Sequence, residues 1–319
     1  MILINASLRN HIPYRLISKG DETEVLWLHT LGVAYDAPFF DETVLQCLTV
    51  NPGMASFKCV SSVETMIEAA NDVDFVPVTA FIFHVSRCGS TLLSQTLVLS
   101  DEHIVLSEVP FFDALLRHDF QDLNLKKQAL EAAVRLYGQK RKDSSNQLYI
   151  KLDSWSVYYW KFLRELWPDT PFLLLYRNPL DVWQSHQKLA GMHAVPGLLE
   201  PWLFELASEN VNEMHRDTYL AKVLAYYARQ FENIVLTDKN SCLMNYHDGI
   251  ENMIRVLFGQ TGMLLNSSFL TKSAERSKFH SKDRTKIFSE LLPDRPIPDI
   301  LRDAYLGFEK LEKLKKRNF

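Results

Sequence analysis

The chain has 319 residues, 47% of them hydrophobic and 23% charged, with a formal net charge of −4. That balance fits one large α/β domain or two small ones, and it argues against a general nucleic-acid or membrane-surface binder. Any anion site must therefore be local, built from a few basic groups and backbone N–H donors.

The stretch Met1 to Lys19 has no long apolar core, so no signal peptide is expected. No stretch approaches the roughly 18 uninterrupted apolar residues of a membrane span. Cys47, Cys59, Cys88 and Cys242 include no C-x-x-C pair. This suits a reducing, cytoplasmic setting better than a disulfide framework or a zinc site, and no metal is expected.

Residues 1–75 have weak periodicity and several aromatics, including Ala37-Pro38-Phe39-Phe40-Asp41, and read as a leading cap. Residues 76–319 read as the main domain. Its first apolar run is Phe81-Ile82-Phe83-His84-Val85, a buried strand by length and flanks. Similar runs follow at Ile104–Leu106, Leu148–Leu152, Phe172–Tyr176 and Cys242–Tyr246. Helical spacing joins Leu125, Ala129, Ala133 and Leu136, then Val157, Trp160 and Leu163. It recurs through Leu220, Val223, Leu224, Tyr227 and Phe231, through Ile250, Met253, Ile254 and Leu257, and through Leu301, Ala304, Tyr305 and Phe308. The basic tail Lys310–Arg317 reads as the end of a solvated helix. Alternating strands and helices imply a parallel sheet covered on both faces. Ligands of such sheets bind beyond the carboxyl ends of the strands, here just after Val85, Leu106, Leu152 and Tyr176.

The first of these places holds Ser86-Arg87-Cys88-Gly89-Ser90-Thr91. A strand, a tight turn and a helix start would aim N–H groups at an anion. Gly89 lets backbone approach a phosphate closely, Ser90 and Thr91 offer hydroxyls, and Arg87 adds a fixed charge. A nucleoside-triphosphate loop would carry lysine where Ser90 stands, and a further glycine before it. The loop therefore suits a phosphate but poorly supports a Mg–ATP kinase.

The run Phe172–Tyr176 ends in Arg177-Asn178-Pro179-Leu180-Asp181, with Ser185 two helical turns on. Asn178 is a natural N-cap, Pro179 a natural first helical residue, and Asp181 suits the helix dipole. Arg177 can fork two oxygens of an anion while Ser185 binds a third. The plainer reading is that Arg177 pairs with Asp181 and Ser185 is a surface serine.

Together the two segments resemble the sulfotransferase family, whose phosphosulfate loop reads like [P/S]-[K/R]-S-G-[S/T]-T and whose second motif reads like R-N-P-x-D-x-x-x-S. The resemblance covers about residues 76–290. It implies a P-loop-like three-layer α/β sandwich with a central parallel sheet flanked by helices. It also implies 3′-phosphoadenosine-5′-phosphosulfate (PAPS) as donor and the 3′,5′-bisphosphate (PAP) as product. On this resemblance Ser86, Arg87, Cys88, Gly89, Ser90 and Thr91 hold the 5′-phosphosulfate, and Arg177 and Ser185 hold the 3′-phosphate. Arg87 in place of lysine looks like a bacterial or Golgi-type branch. Cys88, where the family has serine, reads as a small packing residue rather than a nucleophile.

In-line transfer needs a base for the acceptor's proton, and two carboxylates compete. Glu108 resembles the catalytic glutamate of branches with an arginine loop, and Asp153 stands where cytosolic enzymes place their histidine base. Glu108 is favoured; His193 reads as a surface residue. Lys151, on an apolar strand, is costly to bury without an anion and is assigned to the sulfate, or else to an ion pair with Glu108 or Asp153. Trp155, Trp183 and Tyr246 are candidates for flanking adenine, though the favoured reading of each is a core residue. Lys278 and Lys282, within Ser277–Lys282, lie where the family often places a loop over the 3′-phosphate; the segment reads equally as a solvated basic loop. The expected partner is a small-molecule acceptor with a hydroxyl or nitrogen, such as a natural product of the guanidinium alkaloid class; a peptide tyrosine is a weaker alternative. The competing functions are a nucleotide or small-molecule kinase of related fold, and a non-catalytic nucleotide-binding relative.

Overall fold

A computed structural model describes residues 8–19, 22–56, 58–280, 283–287 and 296–316. In chain order its main elements begin with strands β1 (His11–Lys19) and β2 (Glu22–His29), helix α1 (Phe40–Val50), β3 (Cys59–Ser62) and α2 (Val63–Ala70). Next come β4 (Val78–His84), α3 (Ser90–Leu97), β5 (His103–Ser107), α4 (Pro110–Arg117), α5 (Leu123–Tyr137) and β6 (Gln147–Lys151). Then follow α6 (Trp160–Leu166), β7 (Phe172–Tyr176), α7 (Pro179–Lys188), α8 (Arg216–Thr237), β8 (Ser241–Asn245), α9 (Gly249–Thr261), α10 (Ser267–Ser277) and α11 (Arg302–Lys315).

The expected α/β architecture is present: five strands in the order β5-β6-β4-β7-β8 form a central parallel sheet flanked by helices. The apolar runs explain it. Every residue of β7 is buried, as is β4 from Ala80 onward, which suits strands covered on both faces. Among the described residues, no helix is long and apolar enough to cross a membrane.

The chain folds into two compact units. One holds the residues up to Ala80 together with Ser94–Leu152. Within it β1, β2 and β3 form an antiparallel sheet, with Val25 to Leu28 buried. The described part of the segment of weak periodicity thus holds these three strands together with helices α1 and α2. Helix α2 packs on α5, and Ala129, Ala133 and Leu136 are buried as their spacing requires. Strand β5 pairs with β6 from His103↔Gln147 to Ser107↔Lys151.

The other unit holds Phe81–Leu93 and Asp153–Phe319. In it β7 pairs with β4 from Phe81↔Phe172 and with β8 through Tyr176↔Asn245, so the ends of these strands lie side by side. Helix α11 packs on α8 and is tied to the strand ends: the Tyr176 hydroxyl and Asn245 Nδ2 both donate to Glu312 Oε1. Lys310, Lys313 and Lys316 are exposed, as expected of a solvated helix end, whereas Lys315 Nζ pairs with Asp248 at 2.7 Å and its side chain is only 12% exposed.

Candidate functional site

The loop after β4 turns sharply because Arg87 and Gly89 both take left-handed backbone, with φ of +62° and +83°. For a non-glycine residue that conformation costs about 1–2 kcal/mol, so Arg87 is held there by its surroundings. Left-handed turns of this kind direct N–H groups to one side and make anion-binding concavities. Cys88 is fully buried and its thiol points at the Leu175 carbonyl, 3.4 Å away, which fits the packing role. The Ser90 hydroxyl lies 3.2 Å from His84 Nδ1, and Gly89 accepts from the Leu93 N–H as α3 begins. Thr91 is buried in the first turn and Ser86 is half-buried.

Arg87 is partly buried, and that burial lowers its pKa from the ordinary arginine value. Its Nη2 donates to the Leu189 carbonyl at 2.9 Å, which ties the segment after α7 to the loop. Gly191 follows; a Cβ there would stand 3.2 Å from His186 Cε1, 3.6 Å from Ser86 Oγ and 3.7 Å from His193 Cε1. The two imidazoles meet edge to face at 4.8 Å. His193 is therefore no surface residue; it is 2% exposed, with Nδ1 3.5 Å from Ser154 Oγ, which in turn accepts from Tyr227. The reason is tertiary: the turn at Gly191 folds it inward beneath the loop. His186 accepts at Nδ1 from the Gly191 N–H, and burial, with Arg87 and Arg216 nearby, pushes its pKa down to about 4.

Arg177 stands at the end of β7, almost fully buried, and reaches sideways to the loop: Nη1 donates to the Arg87 carbonyl at 3.3 Å. Its guanidinium lies over the Tyr246 ring, 4.6 Å from the centroid. Tyr246 in turn covers Gly89 so closely that a Cβ there would sit 2.2 and 2.5 Å from two ring carbons. The expected pairing with Asp181 is present, its Nε lying 3.3 Å from Asp181 Oδ2. Asn178 caps α7 by accepting from the Leu180 N–H, and Pro179 occupies the first turn. Ser185 is half-buried on that helix. Asp153 is a half-buried residue preceding a short 3₁₀ turn, where its charge helps raise the pKa of Tyr227. Trp183 is half-buried.

The other unit holds a separate ionic cluster. Glu108 follows β5 in left-handed backbone, φ +53°, and its N–H donates to the Lys151 carbonyl at 2.7 Å. Lys151 Nζ, with no exposed surface, meets Glu108 Oε1 at 2.8 Å; the glutamate side chain is 22% exposed. Lys151 also lies 5.0 Å above the Phe39 ring. Burial, aided by the Glu108 charge, raises the Asp41 carboxyl above its usual range. In the sequence Phe39 and Asp41 belong only to an aromatic run, and nothing in that run links Phe39 to Lys151 or Asp41 to Glu108. Lys278 is exposed at the end of α10. Lys282 lies outside the described residues.

No protein-family profile and no curated protein matches the sequence. Among solved structures, the chain is similar to a Mycobacterium avium sulfotransferase at TM-score 0.45 and 11% identity, over 80% of both chains. It is also similar to one from Mycobacterium tuberculosis (0.43, 11%, over 66% of this chain and 75% of that). A third, from Alicyclobacillus acidocaldarius, gives 0.40 and 13% over 76% of this chain and 98% of that.

Proposed function

We propose that the chain is a sulfotransferase that moves the sulfuryl group of PAPS to a hydroxyl or nitrogen of a small-molecule acceptor and releases PAP. The observation that carries this reading is the bond from Arg177 to the Arg87 carbonyl. It joins the two elements assigned to the phosphates, at the ends of neighbouring parallel strands, where ligands of such sheets bind. Two cationic elements so joined suit a nucleotide phosphorylated at both 3′ and 5′ positions better than a triphosphate, which would ask for a loop lysine.

In the proposed step the acceptor oxygen or nitrogen attacks sulfur. The bond from sulfur to the 5′-phosphate oxygen breaks with its electron pair leaving on PAP, and the acceptor proton passes to a carboxylate. Arg87 and Lys151 are assigned to the charge on the sulfate and leaving oxygens, and Glu108 to the proton, with Asp153 as the alternative base. The acceptor is expected to be hydroxylated or amine-bearing, as in a guanidinium natural product. Calorimetry comparing PAP with Mg–ATP, and transfer of labelled sulfate to an acceptor panel, test the reading. Tighter binding of Mg–ATP than of PAP overturns it.

A further inference from the structure

Asp181 Oδ2 is shared. It lies 3.3 Å from Arg177 Nε and 2.7 Å from His247 Nε2. The three side chains come from the end of β7, the first turn of α7 and the turn after β8. Arg177 and Asp181 are 5% and 11% exposed, whereas His247 is 41% exposed. A phosphate that docks on Arg177 competes with Asp181 for one guanidinium. A carboxylate so little exposed cannot simply be released, since stranding a buried charge is strongly unfavourable.

His247 is placed to prevent this. Its backbone N–H donates to Asn245 Oδ1 at 3.0 Å, which fixes the turn, and its ring meets Tyr246 edge-on at 5.7 Å. The Tyr246 face meanwhile supports the guanidinium from below. Burial alone would raise the Asp181 carboxyl; the hydrogen bond from His247 and the charge of Arg177 outweigh it and hold the group below the usual carboxylate range. The carboxylate is thus ionised and already held by a second partner.

We propose that His247 is a positioning residue for the nucleotide's 3′-phosphate: it retains Asp181 while the guanidinium of Arg177 turns from that carboxylate to the phosphate. This rests on the PAP reading above. It makes discrimination for the 3′-phosphate depend on a residue outside the R-N-P-x-D segment, one that touches no nucleotide itself.

The experiment is calorimetry of wild type, His247→Ala, His247→Lys and Asp181→Asn/His247→Ala, each with PAP and with adenosine 5′-phosphate. His247→Ala should weaken PAP about tenfold and leave adenosine 5′-phosphate nearly unchanged. His247→Lys should recover most of the loss, because a hydrogen-bond donor again holds Asp181. The double variant should recover it too, because an amide strands no charge. Equal weakening of both nucleotides, or no change for PAP, overturns the proposal. If wild type itself prefers PAP no more than adenosine 5′-phosphate, the donor reading falls and this proposal falls with it. If wild type discriminates and His247→Ala does so equally well, only the role of His247 falls.

Discussion

Arg177 donates from Nη1 to the backbone carbonyl of Arg87 across 3.3 Å, so the arginine that ends one strand braces the loop that follows its neighbour. Its Nε simultaneously faces Asp181. A planar guanidinium can serve both directions; a lysine ammonium is a single point on a flexible stem. Arg177→Lys should therefore keep the charge yet weaken PAP by about tenfold or more, while circular dichroism stays native. Titration calorimetry checks this, and unchanged PAP affinity would contradict the bracing role.

Lys151 and Glu108 are unequal partners, one fully buried and the other 22% exposed. Removing the glutamate leaves a buried ammonium without its ion pair, a cost of about 2 kcal/mol, below the value for a fully buried pair because Glu108 keeps some solvent. Glu108→Gln should thus lower both the melting temperature and turnover. In Lys151→Met/Glu108→Gln the melting temperature should return, since no charge is buried, while sulfate transfer stays absent. Recovery of transfer in the double variant would remove Glu108 from the role of base.

Much of this was legible in the sequence, for local reasons. The run Phe172–Tyr176 is a strand between those same residues because five apolar side chains bounded by polar turns leave few alternatives. Arg87, Arg177 and the cap at Asn178 follow from contiguous motifs. The meander β1–β3 escaped because Pro13, Arg15 and a register shift between Pro13 and Arg15 break the alternation that marks a half-buried strand. The histidine pair escaped for another reason. His186 and His193 meet only because the chain turns at Gly191, and no spacing rule separates a buried imidazole from a surface one. His247 lies 66 residues beyond Asp181, a contact that only the adjacency of β7 and β8 creates.

His186 gives a pH dependence with a definite sign. Its folded pKa is lowered from 6.5 to about 4, chiefly by burial and further by Arg87 and Arg216. The unfolded chain therefore binds more protons between these values, and stability falls as pH drops from about 6.5 toward 4, with no further loss from this group below that. The full effect is on the order of 3 kcal/mol. His186→Asn can still accept from the Gly191 N–H but does not titrate, so its stability should vary less with pH across that window. Urea unfolding at pH 7, 6 and 5 checks the difference; parallel slopes would mean that the imidazole stays solvated.

Gly89 carries two constraints that can be separated. Its φ of +83° penalises any side chain, and the Tyr246 ring occupies the place where a Cβ would go, at 2.2 and 2.5 Å. Ala at a left-handed position is destabilising by about 1 kcal/mol, and the overlap adds to this unless the ring moves. Tyr246 is also the surface on which Arg177 rests, so displacing it should disturb the guanidinium as well. Gly89→Ala should therefore lose stability and PAP affinity together. Tyr246→Ala alone should weaken PAP with a smaller loss of stability. In Gly89→Ala/Tyr246→Ala the clash is gone while the left-handed strain remains. Its stability loss should then fall short of the sum of the two single variants, and its affinity should stay low. Thermal melts and calorimetry on the three variants decide this; additive stability losses would mean that ring and glycine are not coupled.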